Sequence, residues 1–315
     1  MKKLLPAKPG PAISRPGAGN RNDQITVGLV QQSCTADRKA NMEKSSAGIR
    51  KAVSKGAELI VLQELHLGPY FCQTENPAHF DLAEPIPGPA SEAFGALARE
   101  LSVVIVASVF ERRAAGLYHN TALVLEKDGS IAGKYRKMHI PDDPSYYEKY
   151  YFTPGDLGFR PIASSVGRLG VLVCWDQWYP EAARLMALSG AELLLYPTAI
   201  GWGPGESEVE RRLMLEAWMT IQRSHAIANG LPLICANRVG FEPASESAGD
   251  GMVFWGNSLI IGPQGEFMAT AGHDADEVIT AQIDMARTEV VRRNWPFLRD
   301  RRTDAYADLL LQYRD

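Results

Sequence analysis

The chain has 315 residues, 45% of them hydrophobic and 22% charged, which is ordinary globular composition and long enough for one large α/β domain or two smaller ones. A net charge of −4 gives no reason to expect nucleic acid or an anionic membrane as partner. Cys34, Cys72, Cys174 and Cys235 stand far apart with no C-x-x-C pair, which argues against a zinc ribbon or a disulfide scaffold and suits a reducing cytoplasm.

Residues 1–23 combine glycines with Pro6, Pro9, Pro11 and Pro16. Those prolines break any signal-peptide core, and the segment reads as a disordered tail ahead of one domain over residues 24–315. The most apolar runs, 101–110 and 170–175, have strand length and fall short of the roughly 20 residues of a membrane span.

From Ile25 the pattern is regular. Residues 25–30 form a short apolar strand, and 41–55 a helix with Gly56 at its C-terminal end. Residues 58–63 are apolar at nearly every position, the mark of a strand covered on both faces. A helix over 91–100 and a strand over 103–110 follow. Strands 121–126 and 130–137 join through Asp128-Gly129, a strong hairpin signal. Then come a strand at 171–175, a helix opened by Pro180 and closed by Gly190, and a strand at 193–196. A long helix over 210–229 and strands at 233–236, 258–261 and 278–283 complete the set. Alternating helices and strands with a few hairpins imply a mixed sheet covered by helices.

Three reactive side chains fall at strand ends. Glu64 closes the strand ending at Gln63, Lys137 closes the second hairpin strand, and Cys174 precedes the turn into the Pro180 helix. Ligands in such sheets collect beyond one set of strand ends, where these positions can meet. A thiol attacks an amide or ureido carbon only as thiolate, so it needs a base, and a carboxylate such as Glu64 serves and then protonates the departing amine. Lys137 and the backbone N–H of Trp175 suit the developing oxyanion, each donor contributing about 3 kcal/mol. Taken singly, each residue has a plainer reading: a buried small hydrophobe for Cys174, a helix N-terminal charge for Glu64, a solvated strand end for Lys137.

The local sequences go further. Gln63-Glu64-Leu65, Lys134-Tyr135-Arg136-Lys137-Met138-His139-Ile140-Pro141 and Gly170-Val171-Leu172-Val173-Cys174-Trp175-Asp176 resemble, in order, the three signature segments of the nitrilase superfamily. The resemblance covers residues 24 to 313 or so. It implies a four-layer α-β-β-α sandwich with mixed sheets, and no metal or organic cofactor. It makes Glu64 the general base, Lys137 the oxyanion stabiliser and Cys174 the nucleophile, with Glu148 orienting Lys137 and the substrate amide. Gly68-Pro69-Tyr70-Phe71-Cys72-Gln73, Cys174-Trp175-Asp176-Gln177-Trp178 and Tyr196-Pro197-Thr198-Ala199-Ile200-Gly201 are similar to the branch that hydrolyses N-carbamoylputrescine. On that likeness Tyr70, Trp175, Asp176 and Ala199 line the substrate.

One departure bears on the substrate. Members of that branch commonly follow Ala-Ile-Gly with Ser-Glu-Pro, whose glutamate meets the distal ammonium, whereas here Trp202-Gly203-Pro204 follows. The acid is missing at Gly203, and Glu206 or Glu208 is left to replace it. The alternative is another carbamoyl or ω-amide hydrolase, such as a β-ureidopropionase, which handles a substrate carboxylate. A Cys–His dyad through His139 or His225 is the rival mechanism, and a scaffold without catalysis the rival class. The six histidines show no metal-ligand spacing. Residues 295–302, both apolar and charged, resemble segments that cross to a second subunit, which implies a homodimer or larger assembly.

Overall fold

The computed structural model describes residues 24–244 and 250–314, so the tail expected over residues 1–23 lies outside the described residues. The chain opens with β1 (Gln24–Gln31), α1 (Arg38–Ser54), β2 (Leu59–Leu62) and α2 (Pro89–Leu101). A meander follows: β3 (Val104–Ala114), β4 (Leu117–Leu125) and β5 (Ile131–Arg136). A helical turn, α3 (Glu148–Tyr151), leads to β6 (Ile162–Ser164), β7 (Gly167–Val171), α4 (Pro180–Leu188) and β8 (Leu193–Pro197). Next come β9 (Gly201–Trp202), α5 (Glu208–Asn229), β10 (Leu233–Ala236), β11 (Val239–Pro243) and β12 (Gly251–Trp255). β13 (Leu259–Ile261), β14 (Phe267–Thr270), β15 (Glu277–Asp284) and α6 (Arg287–Asn294) close the list of regular elements.

The strands form two six-stranded sheets, ordered β15-β1-β2-β3-β4-β5 and β14-β13-β10-β8-β7-β6, with a small third sheet, β11-β12-β9. Both large sheets are mixed: β1, β2 and β3 run parallel, as do β7, β8 and β10, while the flanking strands are antiparallel. The period-2 alternation of β2 shows how the layers arise. Leu59 and Val61 join the core between the sheets with Leu193, Leu195 and Ile234. Ile60 and Leu62 point the other way, onto Ile49 and Ala52 of α1 and Phe94 and Leu97 of α2. Beyond the second sheet, Ala182 and Met186 of α4 and Trp218 and Ala226 of α5 pack against its outer face. The result is the expected four-layer α-β-β-α sandwich.

Local chemistry fixes the helix ends. The Asp37 side chain caps α1 by accepting from the N–H groups of Lys39 and Ala40. Ser207 and Glu210 form a capping box that starts α5, and Gly230 ends it in the left-handed region. Gly28 on β1 lets α1 approach closely, since a Cβ there would sit 2.7 Å from the Ala52 methyl.

The strand expected over 171–175 differs. β7 ends at Val171, and residues Cys174–Trp178 form a 3₁₀ turn. Cys174 has φ +43°, which no strand accommodates, and the Asp176 carboxylate accepts the Val173 N–H at 3.0 Å. The third sheet and α6 were not legible beforehand. β9 has two residues and β11 carries Gly240 and Pro243, so neither shows an alternating run. Among the described residues no helix is long and apolar enough to cross a membrane.

Candidate active site

The topology brings three strand ends together. β2 and β3 are parallel, and β5 returns to the direction of β3 through the antiparallel β4, so Glu64 and Lys137 leave the first sheet at one edge. The Glu64 N–H donates to the carbonyl of Thr198, just past β8, at 3.3 Å, tying that edge to the second sheet. β7 runs parallel to β8, so Cys174 emerges there as well.

The centre is a buried charge cluster. Lys137 Nζ donates to Glu64 Oε1 at 2.9 Å and to Glu148 Oε1 and Oε2 at 2.8 and 2.6 Å. The side chains of all three are fully shielded from solvent. Two further donors fix the carboxylates: Asn120 Nδ2 reaches Glu64 Oε1 at 2.6 Å, and the Tyr70 hydroxyl reaches Glu148 Oε1 at 2.6 Å. Glu64 Oε2 is buried with no hydrogen-bond partner among the described residues. A buried carboxylate oxygen left open costs stability, and such exceptions cluster where a protein must accept a proton or a substrate hydrogen.

The Cys174 thiol donates to the Ala199 carbonyl at 3.6 Å. Burial, and after it the charge of Glu64, raises this thiol well above its ordinary pKa, with Lys137 opposing. At neutral pH Cys174 therefore rests as a thiol and needs a base before it attacks. Burial pulls the Lys137 pKa down, but Glu148 and then Glu64 outweigh it and hold the ammonium well above its usual range. Burial also raises Glu148 above the usual carboxylate range, against the pull of Lys137. Together these groups provide a proton acceptor, a fixed cation and a thiol that feels both.

Two backbone strains accompany the cluster. Leu65, directly after Glu64, has φ +48°, and Cys174 itself has φ +43°. Each costs on the order of 1 kcal/mol for a residue with a Cβ and persists because its surroundings hold it. The Cys174 turn is held through Asp176. Its Oδ1 accepts from the N–H and Nδ1 of His139 at 3.0 and 2.7 Å, and its Oδ2 from the Tyr135 hydroxyl at 2.8 Å and from Val173 N. Asp176 was expected to line the substrate. Both of its oxygens are instead engaged in clasping the lysine segment to the cysteine turn.

The remaining expected residues fall as follows. Tyr70 is buried and holds Glu148. Ala199 offers its carbonyl to the thiol. Trp175 is half-buried, its ring edge-on to Trp178 with centroids 6.4 Å apart. Glu206 turns back onto the loop, where its Oε1 accepts the Gly203 N–H at 3.0 Å. Its Oε2 is buried without a partner among the described residues, whereas Glu208 is exposed. Neither histidine offered for a dyad bonds Cys174. His139 lies on Asp176 and stacks on Tyr179 at 3.8 Å, and His225 Nδ1 meets the Tyr196 hydroxyl at 2.9 Å. Burial lowers His225 to about 4. Asn120 and Tyr146 were missed. Tyr146 bridges the N–H and carbonyl of Gly201, each at 2.9 Å, and neither residue stands out from its neighbours in sequence.

The profile of the carbon-nitrogen hydrolase family matches residues 26–293. An N-carbamoylputrescine amidase of Solanum lycopersicum is 43% identical over 92% of this chain and 96% of its own length. A citrullinase of Francisella tularensis is 38% identical over 92% of this chain and 99% of its own. The crystal structure of a carbon-nitrogen hydrolase from Helicobacter pylori superposes with a TM-score of 0.90 at 55% identity, covering 92% of this chain and all of that one. The chain belongs to the carbon-nitrogen hydrolase family, within the nitrilase superfamily, and it is an amidohydrolase.

Proposed function

We propose that this enzyme hydrolyses N-carbamoylputrescine to putrescine, carbon dioxide and ammonia, a step in making polyamines from agmatine, with Cys174 as nucleophile. The observation that carries the reading is Lys137 held between Glu64 and Glu148 beside a thiol whose proton these charges govern. Glu64 takes the proton of Cys174 through its open Oε2, and the thiolate adds to the ureido carbon. The oxyanion forms against the Lys137 ammonium and the Trp175 N–H. Glu64 then protonates the departing nitrogen. That nitrogen leaves as ammonia; water, deprotonated by Glu64 in turn, cleaves the remaining S-thiocarbamate and frees the Cys174 thiol, and the carbamic acid released decomposes to carbon dioxide and putrescine. Glu148 keeps Lys137 charged and aimed.

At the far end of the substrate, Glu206 stands in for the acid missing at Gly203. A Cβ at residue 203 would lie 3.2 Å from Glu206 Oε1, so the carboxylate occupies the space toward which a side chain from 203 would grow. Its unpartnered Oε2 supplies an acceptor for the distal ammonium. Tyr146 feels the charges of both Cys174 and Glu206. The tomato relative supports this substrate, and the citrullinase relative supports the shared ureido group.

Residues 24–315 act as one catalytic domain in this reading. Trp295 and Phe297, each 46% exposed, and Leu310, 93% exposed, suit burial in a homodimer or larger assembly. Four buried free thiols suit a reducing cytoplasm. The test is steady-state ammonia release from N-carbamoylputrescine, citrulline and N-carbamoyl-β-alanine. The reading requires the highest kcat/KM on N-carbamoylputrescine, and a wide preference for either carboxylate-bearing compound refutes it.

A further inference from the structure

Behind the charge cluster lies a second buried ion pair whose place in the fold ties it to the first. Arg238, between β10 and β11, is fully buried, and Glu242 on β11 is 2% exposed. Arg238 Nη1 donates to Glu242 Oε1 at 2.5 Å and to the Gly68 carbonyl at 2.8 Å. Its Nη2 donates to the carbonyls of Glu64 and Leu65 at 3.1 and 2.8 Å. One guanidinium thus grips three carbonyls of the turn that carries Glu64, including the residue at φ +48°. The Leu65 N–H is fixed from the other side by Ser108 Oγ at 3.1 Å. Glu242 Oε2 accepts the Tyr70 N–H at 2.6 Å, and the Tyr70 hydroxyl holds Glu148.

These contacts close a ring. It runs from Arg238 to Glu242, Tyr70, Glu148, Lys137 and Glu64, and returns through the Glu64 carbonyl to Arg238. We propose that Arg238 and Glu242 are positioning residues for the hydrolysis: they set the Glu64 backbone and, through Tyr70, the Glu148 carboxylate that together aim Lys137. A buried pair serving stability alone is replaceable by apolar residues, whereas this one directs three hydrogen bonds to one strained turn and its second acceptor oxygen to the residue that holds Glu148. Lysine cannot substitute for arginine here, because a single ammonium cannot span Glu242, Gly68, Glu64 and Leu65 with a planar fork. The proposal rests on Glu64 acting as the base.

The experiment compares Arg238→Lys, which keeps the charge, and Glu242→Gln, which keeps the volume, with the unmodified enzyme and with Glu64→Gln. Each is assayed for kcat and KM on N-carbamoylputrescine per folded molecule, for the rate of iodoacetamide alkylation at Cys174 located by peptide mass mapping, and for melting temperature. Positioning predicts that kcat and the alkylation rate both fall at least ten-fold in Arg238→Lys while KM stays within about three-fold. The same split, smaller, is expected in Glu242→Gln. Activity per folded molecule within two-fold of the unmodified enzyme in both variants overturns the proposal, as does insolubility of both, which would assign the pair to folding alone. If Glu64→Gln retains full activity, the base assignment fails instead.

Discussion

Lys137 Nζ and Glu64 Oε1 lie 2.9 Å apart with both side chains fully shielded from water. A buried pair of this kind costs several kcal/mol of desolvation, repaid only by close geometry and further hydrogen bonds. Glu148, Asn120 and Tyr70 supply those bonds.

Replacing Lys137 by Met leaves two carboxylates buried with no counter-charge. The expected outcome is a loss of roughly 3–5 kcal/mol of stability together with at least a 10²-fold fall in kcat from the missing oxyanion donor. Chemical denaturation and steady-state kinetics measure the two separately. A variant of normal stability and normal kcat contradicts the assignment.

Glu206→Gln removes the acceptor charge and keeps the shape of the loop. Because the carboxylate is only partly buried, the lost ion pair amounts to about 1–2 kcal/mol, or roughly ten-fold in KM for N-carbamoylputrescine. An N-alkylurea of the same length without the ammonium isolates the effect. Its kcat/KM stays unchanged in the variant, and an equal loss on both compounds would remove Glu206 from substrate recognition.

Asp176→Asn tests the clasp between the lysine segment and the cysteine turn. An amide nitrogen now faces donors where a carboxylate oxygen accepted them. The expected cost is on the order of 1–3 kcal/mol of stability, with a fall in kcat and little change in KM. Unchanged melting temperature and kcat would show that the turn holds its shape without the carboxylate.

Glu111 carries a pH prediction. Burial alone would raise its pKa, but hydrogen bonds from Arg136, Lys134 and Thr121 prevail and lower it to about 2. A carboxylate with a depressed folded pKa contributes stability that is fully present above its unfolded value, here 4.5, and lost as pH falls through the folded value. Between pH 4.5 and about 2 the enzyme should lose on the order of 2–3 kcal/mol from this group. Acid denaturation of Glu111→Gln, shallower across that window than that of the unmodified enzyme, checks it.

Much of this was readable in advance because the chemistry sits in contiguous segments. Leu59–Leu62, apolar throughout, announces a strand covered on both faces, and Glu64, Lys137 and Cys174 each follow a strand by one to three residues. The network around them was not readable. Asn120 on β4 and Arg238 in the β10–β11 connection reach the site from segments distant in sequence, and no spacing in the chain marks a side chain that bonds Glu64 across 56 or 174 residues. The contacts of Asp176 were hidden for a related reason. Its neighbours Cys174 and Trp175 suggest a pocket wall, but a 3₁₀ turn points its carboxylate inward to the Val173 N–H. The loop bond from the Gly203 N–H to Glu206 was likewise invisible in composition.

In the proposed mechanism the sulfur of residue 174 makes and breaks the bond to the ureido carbon. Ammonia release from N-carbamoylputrescine by Cys174→Ala, paired with intact-mass analysis of the acid-quenched reaction of the unmodified enzyme, tests it directly. Release at background level is expected from the variant, and a carbamoyl-type adduct on the Cys174 peptide of the unmodified enzyme. Undiminished ammonia release by Cys174→Ala would contradict it.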